Sequence, residues 1–355
     1  MKNQIFLQSP KVKSLFLTGF VFMLFIFSQV TTAQNYRNPK AYILDFGKNE
    51  LFVKEALMEY SASIVNANLE ERVATNLERI YIKLAEENVN LKQNDHGIAG
   101  DLDLRNSFIH LNEETIKLLQ NKSLKLNDYQ LQSALDYPDI IKNFAYKELG
   151  IKNYYAEIIK YENNKKEFGL KYNIIIRYFK QKNIFEYDAY QNFIFYRLNV
   201  LDEKLMNLIK SKDIEEVNHC LDYITQIGNE SLLRTESYKD DFTDTSLNDA
   251  NIEFIQFIMK QKEELIPLYI TYVQTAENFK ILKRKMEDAT TGISIEDYNT
   301  EVRKYNKTKN DFSDTLYSIQ IKKRDLLIQW YISNSNFLKH NIEFENLYEK
   351  FSNLD

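Results

Sequence analysis

Four histidines and one cysteine are the side chains here best suited to metal or nucleophilic chemistry: His96, His110, His219, His340 and Cys220. Glu216 and His219 stand three apart, a spacing that puts carboxylate and imidazole on one helix face, as in the carboxylate-bridged two-metal centres of helical bundles. Such a centre needs the motif on two facing helices, and no other His here has Glu three residues before it. A di-iron site is therefore not expected. His110 with Glu113, and His340 with Glu343, make the reverse His-x-x-Glu pair, which also serves as an ordinary surface pair on a helix. His110, Glu113, Glu216 and His219 are the candidate metal ligands, and no motif calls for a cofactor. Cys220 falls on the apolar stripe Val217, Leu221, Ile224, so it is expected as a small buried hydrophobe. A hydrolytic enzyme would have to draw its nucleophile and base from Cys220 and scattered histidines, and no catalytic residue is assigned. Asp240, Asp241, Asp244, Asn248 and Asp249 could attract Ca²⁺, but they lack the ligand order and central Gly of an EF-hand loop, which leaves a solvated linker.

The stretch that must position everything else is Ser294 to Leu338. Tyr298, Val302, Tyr305, Phe312, Leu316, Ile319, Leu326, Trp330 and Phe337 recur in steps of three and four, with misses at Lys309, Lys323 and Ser333. This is a helical seam close to coiled-coil heptad spacing. Ser294 and Asp297 can close its first turn as a capping box, and Gly292 separates it from what precedes. A helix of about 45 residues would span about 65 Å. Its stripe can be covered only by other helices laid along it.

Few prolines and glycines and abundant Lys, Glu, Leu and Ile predict an all-α chain. Helices are expected from Pro39 to about Asn66, from Leu69 to Leu91, from a cap at Asp101 to about Asn121, and from Asp136 to about Glu167. These form an up-and-down bundle over 34–168. Gly169 opens an expected extended connector over 169–184, with a β-branched run at Ile174, Ile175 and Ile176. A second bundle follows over 185–355, entered by an aromatic helix around Tyr190 and Phe193 and ending in the rod. The stretch Asn229 to Asp249 reads as a long acidic loop, and Pro267 should break the next helix near Leu265. Val73, Leu77 and Ile80 recur as Val217, Leu221 and Ile224 at a shift of 144, and Asp101, Leu104 and Ile109 as Asp244, Leu247 and Ile252 at 143. That order predicts two tandem copies of one bundle.

Lys2, Lys11 and Lys13, the apolar run Leu15 to Phe27 and Thr31-Thr32-Ala33 before Gln34 have the form of a signal peptide over 1–33, cleaved after Ala33. The sole cysteine, Cys220, leaves no lipid-attachment site there, and the remaining chain has no segment apolar for long enough to span a bilayer. The net charge of −5 becomes −8 once the leader's three lysines go, which argues against nucleic acid as a partner. One cysteine allows no internal disulfide, so packing must supply the stability.

Phe168 through Ile174, the helix Tyr190 to Leu198, Tyr298-Asn299 with Tyr305-Asn306, and Arg324, Trp330 and Phe337 to His340 together resemble an uncharacterised family of exported surface proteins of Gram-negative bacteria, known from leptospiral genomes among others. The resemblance covers nearly all of the chain after the leader and implies export, a helical fold and periplasmic or surface residence. The signal peptide, the long amphipathic helices and the missing catalytic constellation lead to the expectation of a non-enzymatic envelope protein that binds another envelope protein or itself, long helix faces being suited to such contacts. The alternative is a periplasmic metal- or haem-binding protein similar to the imelysin type, which also carries a His-x-x-Glu pair. That type has Gly two residues before the His, where this chain has Phe108 and Leu338.

Overall fold

The computed structural model describes residues 38–50 apart from 45, 70–121, 126–176 apart from 127, 184–287 and 292–344. Among these every regular element is a helix, and the one β-bridge joins Ile98 to Asp101 in a turn. A helical stretch at 39–50 leads to α1 (Glu70–Asn94), α2 (Asp103–Gln120), the short α3 (Tyr129–Ser133), α4 (Tyr137–Lys171), α5 (Ile184–Ser211), α6 (Ile214–Tyr238), α7 (Ser246–Glu264), α8 (Ile266–Glu287) and α9 (Ile295–Phe344). The leader expected at 1–33 and the end of the first helix lie outside the described residues, as do 177–183 of the expected connector.

Helix α9 is the rod, unbroken for 50 residues. Ser294 and Asp297 form the expected capping box: the Ser294 hydroxyl accepts from the Asp297 backbone N–H at 3.0 Å and donates to its carboxylate at 2.7 Å. Phe312, Ile319, Leu326, Trp330 and Phe337 are buried along its inner face. Lys323, a miss in the apolar seam, is accommodated because its ammonium meets Asp202 and Glu203 of α5. Burial works against that charge, yet the two carboxylates hold its pKa above the ordinary lysine value. Around α9 lie α5, α7 and α8, with α6 completing the group against α5 and α7, while α2 packs against both α1 and α4. One hydrophobic cluster runs through both sets, and α4 and α3 meet α5 at the junction.

Several boundaries differ from expectation, each for a packing reason. Gly169 does not open a connector: it is buried inside the last turn of α4, where a Cβ would meet Ile176 Cδ1 at 2.7 Å and the Ile174 carbonyl at 3.0 Å. Its carbonyl accepts from Ile174 N–H at 2.8 Å across the left-handed residue Asn173, so the chain folds back on the glycine. The acidic stretch from Asn229 is helix as far as Tyr238, and only 239–245 is loop. Ser231 and Arg234 keep the helix going, since Arg197 donates to the first at 3.2 Å and the second donates to Glu148 at 2.6 Å. Asp101 acts one residue earlier than expected: Leu102 is the N-cap of α2, and Asp101 Oδ1 takes the Asp103 N–H at 3.0 Å. The break before Pro267 falls where expected, at Leu265 between α7 and α8.

The inner face of α9 centres on Trp330, 2% exposed, stacked on Phe195 at 3.9 Å and donating to Asn251 at 2.8 Å. Truncation to Ala should remove about 3–5 kcal/mol of stability through the cavity and the orphaned amide. Urea denaturation of Trp330→Ala measures this, and a loss below about 1 kcal/mol would mean that the seam is not packed as described.

Candidate functional site

The four candidate ligands do not converge. His110 and Glu113 share one side of α2 but turn to different helices, His110 to Glu157 of α4 at 3.3 Å and Glu113 to Lys92 of α1 at 3.2 Å. Both pairs are largely solvated, a setting in which an ion pair contributes about 0–1 kcal/mol. Glu157 is held below the usual carboxylate range, by Lys160 first and then by His110. His219 lies beside the ring of Tyr137 at 4.8 Å and that of Tyr223 at 5.2 Å, while Glu216 meets Tyr137 only through its backbone carbonyl, at 3.4 Å. His340 reaches Asp244 at 3.6 Å, and His96 is exposed in the turn after α1. Among the described residues no group of three or more His, Cys, Asp or Glu is placed to hold a metal ion.

Cys220 is fully buried and its thiol points at the Leu201 carbonyl, 3.5 Å away. Burial pushes the thiol up to about 12, the opposite of what a nucleophile needs. Of the acidic stretch, Asn248 is buried and spent on α6 and α5: it donates to the Thr235 carbonyl at 3.1 Å and accepts from Gln191 at 2.9 Å. Asp244 accepts from Ser246 N–H at 3.0 Å and Asp249 from the Thr245 hydroxyl at 2.7 Å. Of these side chains only Asp244 takes a backbone N–H at the start of α7.

Spacing gave no sign of the buried charges that the tertiary structure assembles. Lys165 is 1% exposed and donates to Glu50 at 3.0 Å, with the Tyr161 hydroxyl on the same carboxylate. Lys147, 2% exposed, meets Asp128 at 3.3 Å, and Tyr196 donates to Asp128 at 2.5 Å. Burial lowers the Lys147 pKa from the ordinary lysine value, Asp128 opposing the shift. Each cluster is closed by protein groups from separate helices, as structural ion pairs are. The grooves on the surface are shallow. One of about 280 Å³ lies between α2 and α4, over Leu118, Tyr146, Leu149 and Tyr154.

The feature most unlike a closed body is the pairing of α8 with the first third of α9. From 276 to 287 and from 292 to 311 no described residue is buried. The two helices hold each other through a ladder of rings: Phe312 on Tyr272 at 5.3 Å, Tyr272 on Tyr305 at 6.2 Å, Tyr305 on Phe279 at 5.0 Å, and Phe279 by Tyr298 at 6.0 Å. Seventeen residues of α9 in this region extend about 25 Å. Eight basic residues of the arm, Lys280, Lys283, Arg284 and Lys285 on α8 and Arg303, Lys304, Lys307 and Lys309 on α9, stand among six acids, of which Glu277 approaches Lys280 at 3.6 Å and Glu301 approaches Lys304 at 3.9 Å. Exposed Ile281, Met286 and Ile295 lie towards its tip.

No helix among the described residues is long and apolar enough to cross a membrane. In comparisons with known proteins, no family model, no curated protein and no solved structure matches this chain.

Two measurements check these placements. Because the folded pKa of Cys220 lies above the unfolded one, its contribution to stability is present below about pH 9 and is lost as pH rises through about 12. At pH 8 the native thiol should resist iodoacetamide and label fully only in denaturant, and fast native labelling would contradict its burial. For the Glu50–Lys165 pair, Lys165→Met alone should cost about 3–5 kcal/mol, while Glu50→Gln with Lys165→Met should recover much of that, as read by urea denaturation.

Proposed function

We propose that this chain is an exported, non-enzymatic helical protein of the cell envelope or surface that works by binding another protein, and that the α8–α9 arm is the element it binds with. The arm carries the proposal. Two helices without a buried residue over more than 30 described positions, with exposed apolar residues at the tip, add little to the stability of the fold. The form of residues 1–33 and the resemblance to exported surface proteins of Gram-negative bacteria belong to the same proposal. Metal or haem binding is the weaker alternative, because His110 and Glu113 are engaged with different helices.

Internal duplication supports this assignment of roles. Adding 145 to the stretch at 39–50, 143 to the turn at Asp101 and α2, and 169 to α4 reproduces contacts of the second set. Tyr42 on Phe168 at 5.5 Å becomes Tyr187 on Phe337 at 4.9 Å. The turn acid Asp101, bonded to Asp103 N–H and to Lys171, becomes Asp244, bonded to Ser246 N–H and to His340. Phe46, Phe108 and Tyr161, packed ring to ring, become Gln191, Asn251 and Trp330, joined by hydrogen bonds. On this alignment the arm stands in 265–305, where the first copy has only 122–136. The second copy of a structural unit has gained a projecting element, a pattern that separates scaffold from function.

Ring pairing sets residue 280 opposite 304, so replacing 280–304 by a short Gly-Asn-Gly turn should trim the arm just beyond the Phe279–Tyr305 pair. The trimmed protein should keep the helical circular dichroism of the parent and unfold within a few degrees of it. In crosslinking and affinity capture on native envelopes, the full-length protein should retain a partner in a salt-sensitive manner and the trimmed protein should lose it. Equal capture by both would remove the arm from the proposal, and turnover of a small substrate by protein with no partner would remove the non-enzymatic role.

A further inference from the structure

Two helix pairs of this chain meet in one register, and the groove between α2 and α4 can be measured against its counterpart. Phe108 of α2 packs on Tyr161 of α4 where, after shifts of 143 and 169, Asn251 of α7 bonds to Trp330 of α9. Two turns further along that register Lys322 of α9 lies over the Phe257 ring of α7, and Phe257 and Ile319 are both buried. The corresponding positions of the first pair hold Asn153, Glu114 and Gly150, and there the surface opens into the groove of about 280 Å³. A glycine inside a helix weakens it relative to alanine. Close packing demands one at Gly169 and at Gly228, where a Cβ would meet Ile176 Cδ1 at 2.7 Å and Met259 Sδ at 2.5 Å. Gly150 lines the groove instead, and what its missing side chain leaves is room.

The walls are one face of each helix, 114–121 of α2 and 146–157 of α4, so the groove runs about 16 Å. That is short for a docked helix, and the volume falls at the low end of small-molecule sites. Leu118, Leu149 and Tyr154 make an apolar floor, the Tyr154 hydroxyl being committed to Thr115 at 2.8 Å. At the edge stand groups that both donate and accept: the Tyr146 hydroxyl, which takes the Asn121 amide at 3.4 Å, Asn121 itself and Asn153. The carboxylates are already matched, Glu114 by Lys117 at 2.6 Å, and Glu157 by Lys160 at 2.5 Å and His110 at 3.3 Å. An ionic ligand would therefore find no unbalanced charge. A wholly apolar one would strip water from the amides and replace it with nothing. A neutral ligand with an apolar face and a polar edge meets both conditions, and a pyranose ring has C–H bonds on its faces and hydroxyls around its rim.

We infer that the α2–α4 groove binds a neutral sugar, one pyranose ring of a glycan lying over Leu118, Leu149 and Gly150 with its hydroxyls on Tyr146, Asn121 and Asn153. This goes beyond protein binding by the arm and does not rest on it, since the groove belongs to the first set of helices.

Saturation-transfer NMR of the purified protein with glucose, galactose, mannose, N-acetylglucosamine and their short oligomers tests it. At least one should bind with a Kd of about 0.1–1 mM, with saturation concentrated on one face of a single ring. Protein trimmed of its arm should bind that sugar equally. Gly150→Ile, which supplies the side chain found at the matching position of α9, should abolish binding while circular dichroism keeps the parent's helix content. Tyr146→Phe and Asn153→Ala, at solvated positions where folding is not at stake, should each weaken binding about three- to tenfold. No binding by any of these sugars at about 10 mM would overturn the inference, as would binding indifferent to all three substitutions. Binding of N-acetyl-phenylalaninamide in the groove with no sugar bound would also overturn it and give the groove to peptide side chains.

Discussion

The second set of helices is tied together at a single level by one buried amide network. Asn251 of α7 accepts from Trp330 of α9 at 2.8 Å and donates to Gln191 of α5 at 2.5 Å, and Gln191 donates to Asn248 of α7, which in turn holds the Thr235 carbonyl of α6. All these groups are almost free of solvent, so each bond left unmade would cost the full desolvation of its partner. Apolar stripes alone tolerate sliding and rotation of one helix past another. A closed set of amides does not, because only one register satisfies every donor, and it thereby fixes the rotation of the rod and the direction its outer face presents.

The first set of helices solves the same problem differently. Where the second uses amides and an indole, the first stacks Phe46, Phe108 and Tyr161 and places Glu50 and Lys165 directly beyond them. A buried ion pair specifies position well and stabilises weakly, since removing two charges from water costs about as much as their attraction returns. The junction between the sets follows the same logic, with Asp128 held by Lys147 and by Tyr196, whose ring packs against Tyr129 and Phe144. The chain thus combines one continuous apolar cluster with a few polar ties that determine which helix faces which.

Against this closed interior the two open features stand out by contrast. The arm is held by ring stacking between two helices, with Lys212 over the Tyr272 ring at its base and no buried residue among those described beyond it. The outer stripe of α9, Tyr317, Ile321, Ile328 and Ile332, has no covering element among the described residues, yet it belongs to the helix whose inner face is the most firmly anchored.

The sequence by itself determined that the chain is helical and where most helices lie, because a stripe repeating every 3.6 residues can be buried only by helices lying alongside. It marked the rod through the Ser294 capping box, the break at Leu265 through Pro267, and the burial of Cys220 through the apolar stripe around it. It could not mark the role of Gly169 or the end of α6 at Tyr238, because both depend on chain that folds back from elsewhere: Ile174 and Ile176 onto the glycine, and Glu148 onto Arg234. Nor could it show that His110 and Glu113 diverge, since spacing sets two side chains on one face but the neighbouring helices decide what each meets. Only the tertiary structure paired Glu50 with Lys165, 115 positions apart, and left α9 with one face sealed and the other bare. Periodicity is a local property of the chain, whereas burial depends on which helices come to lie on each face.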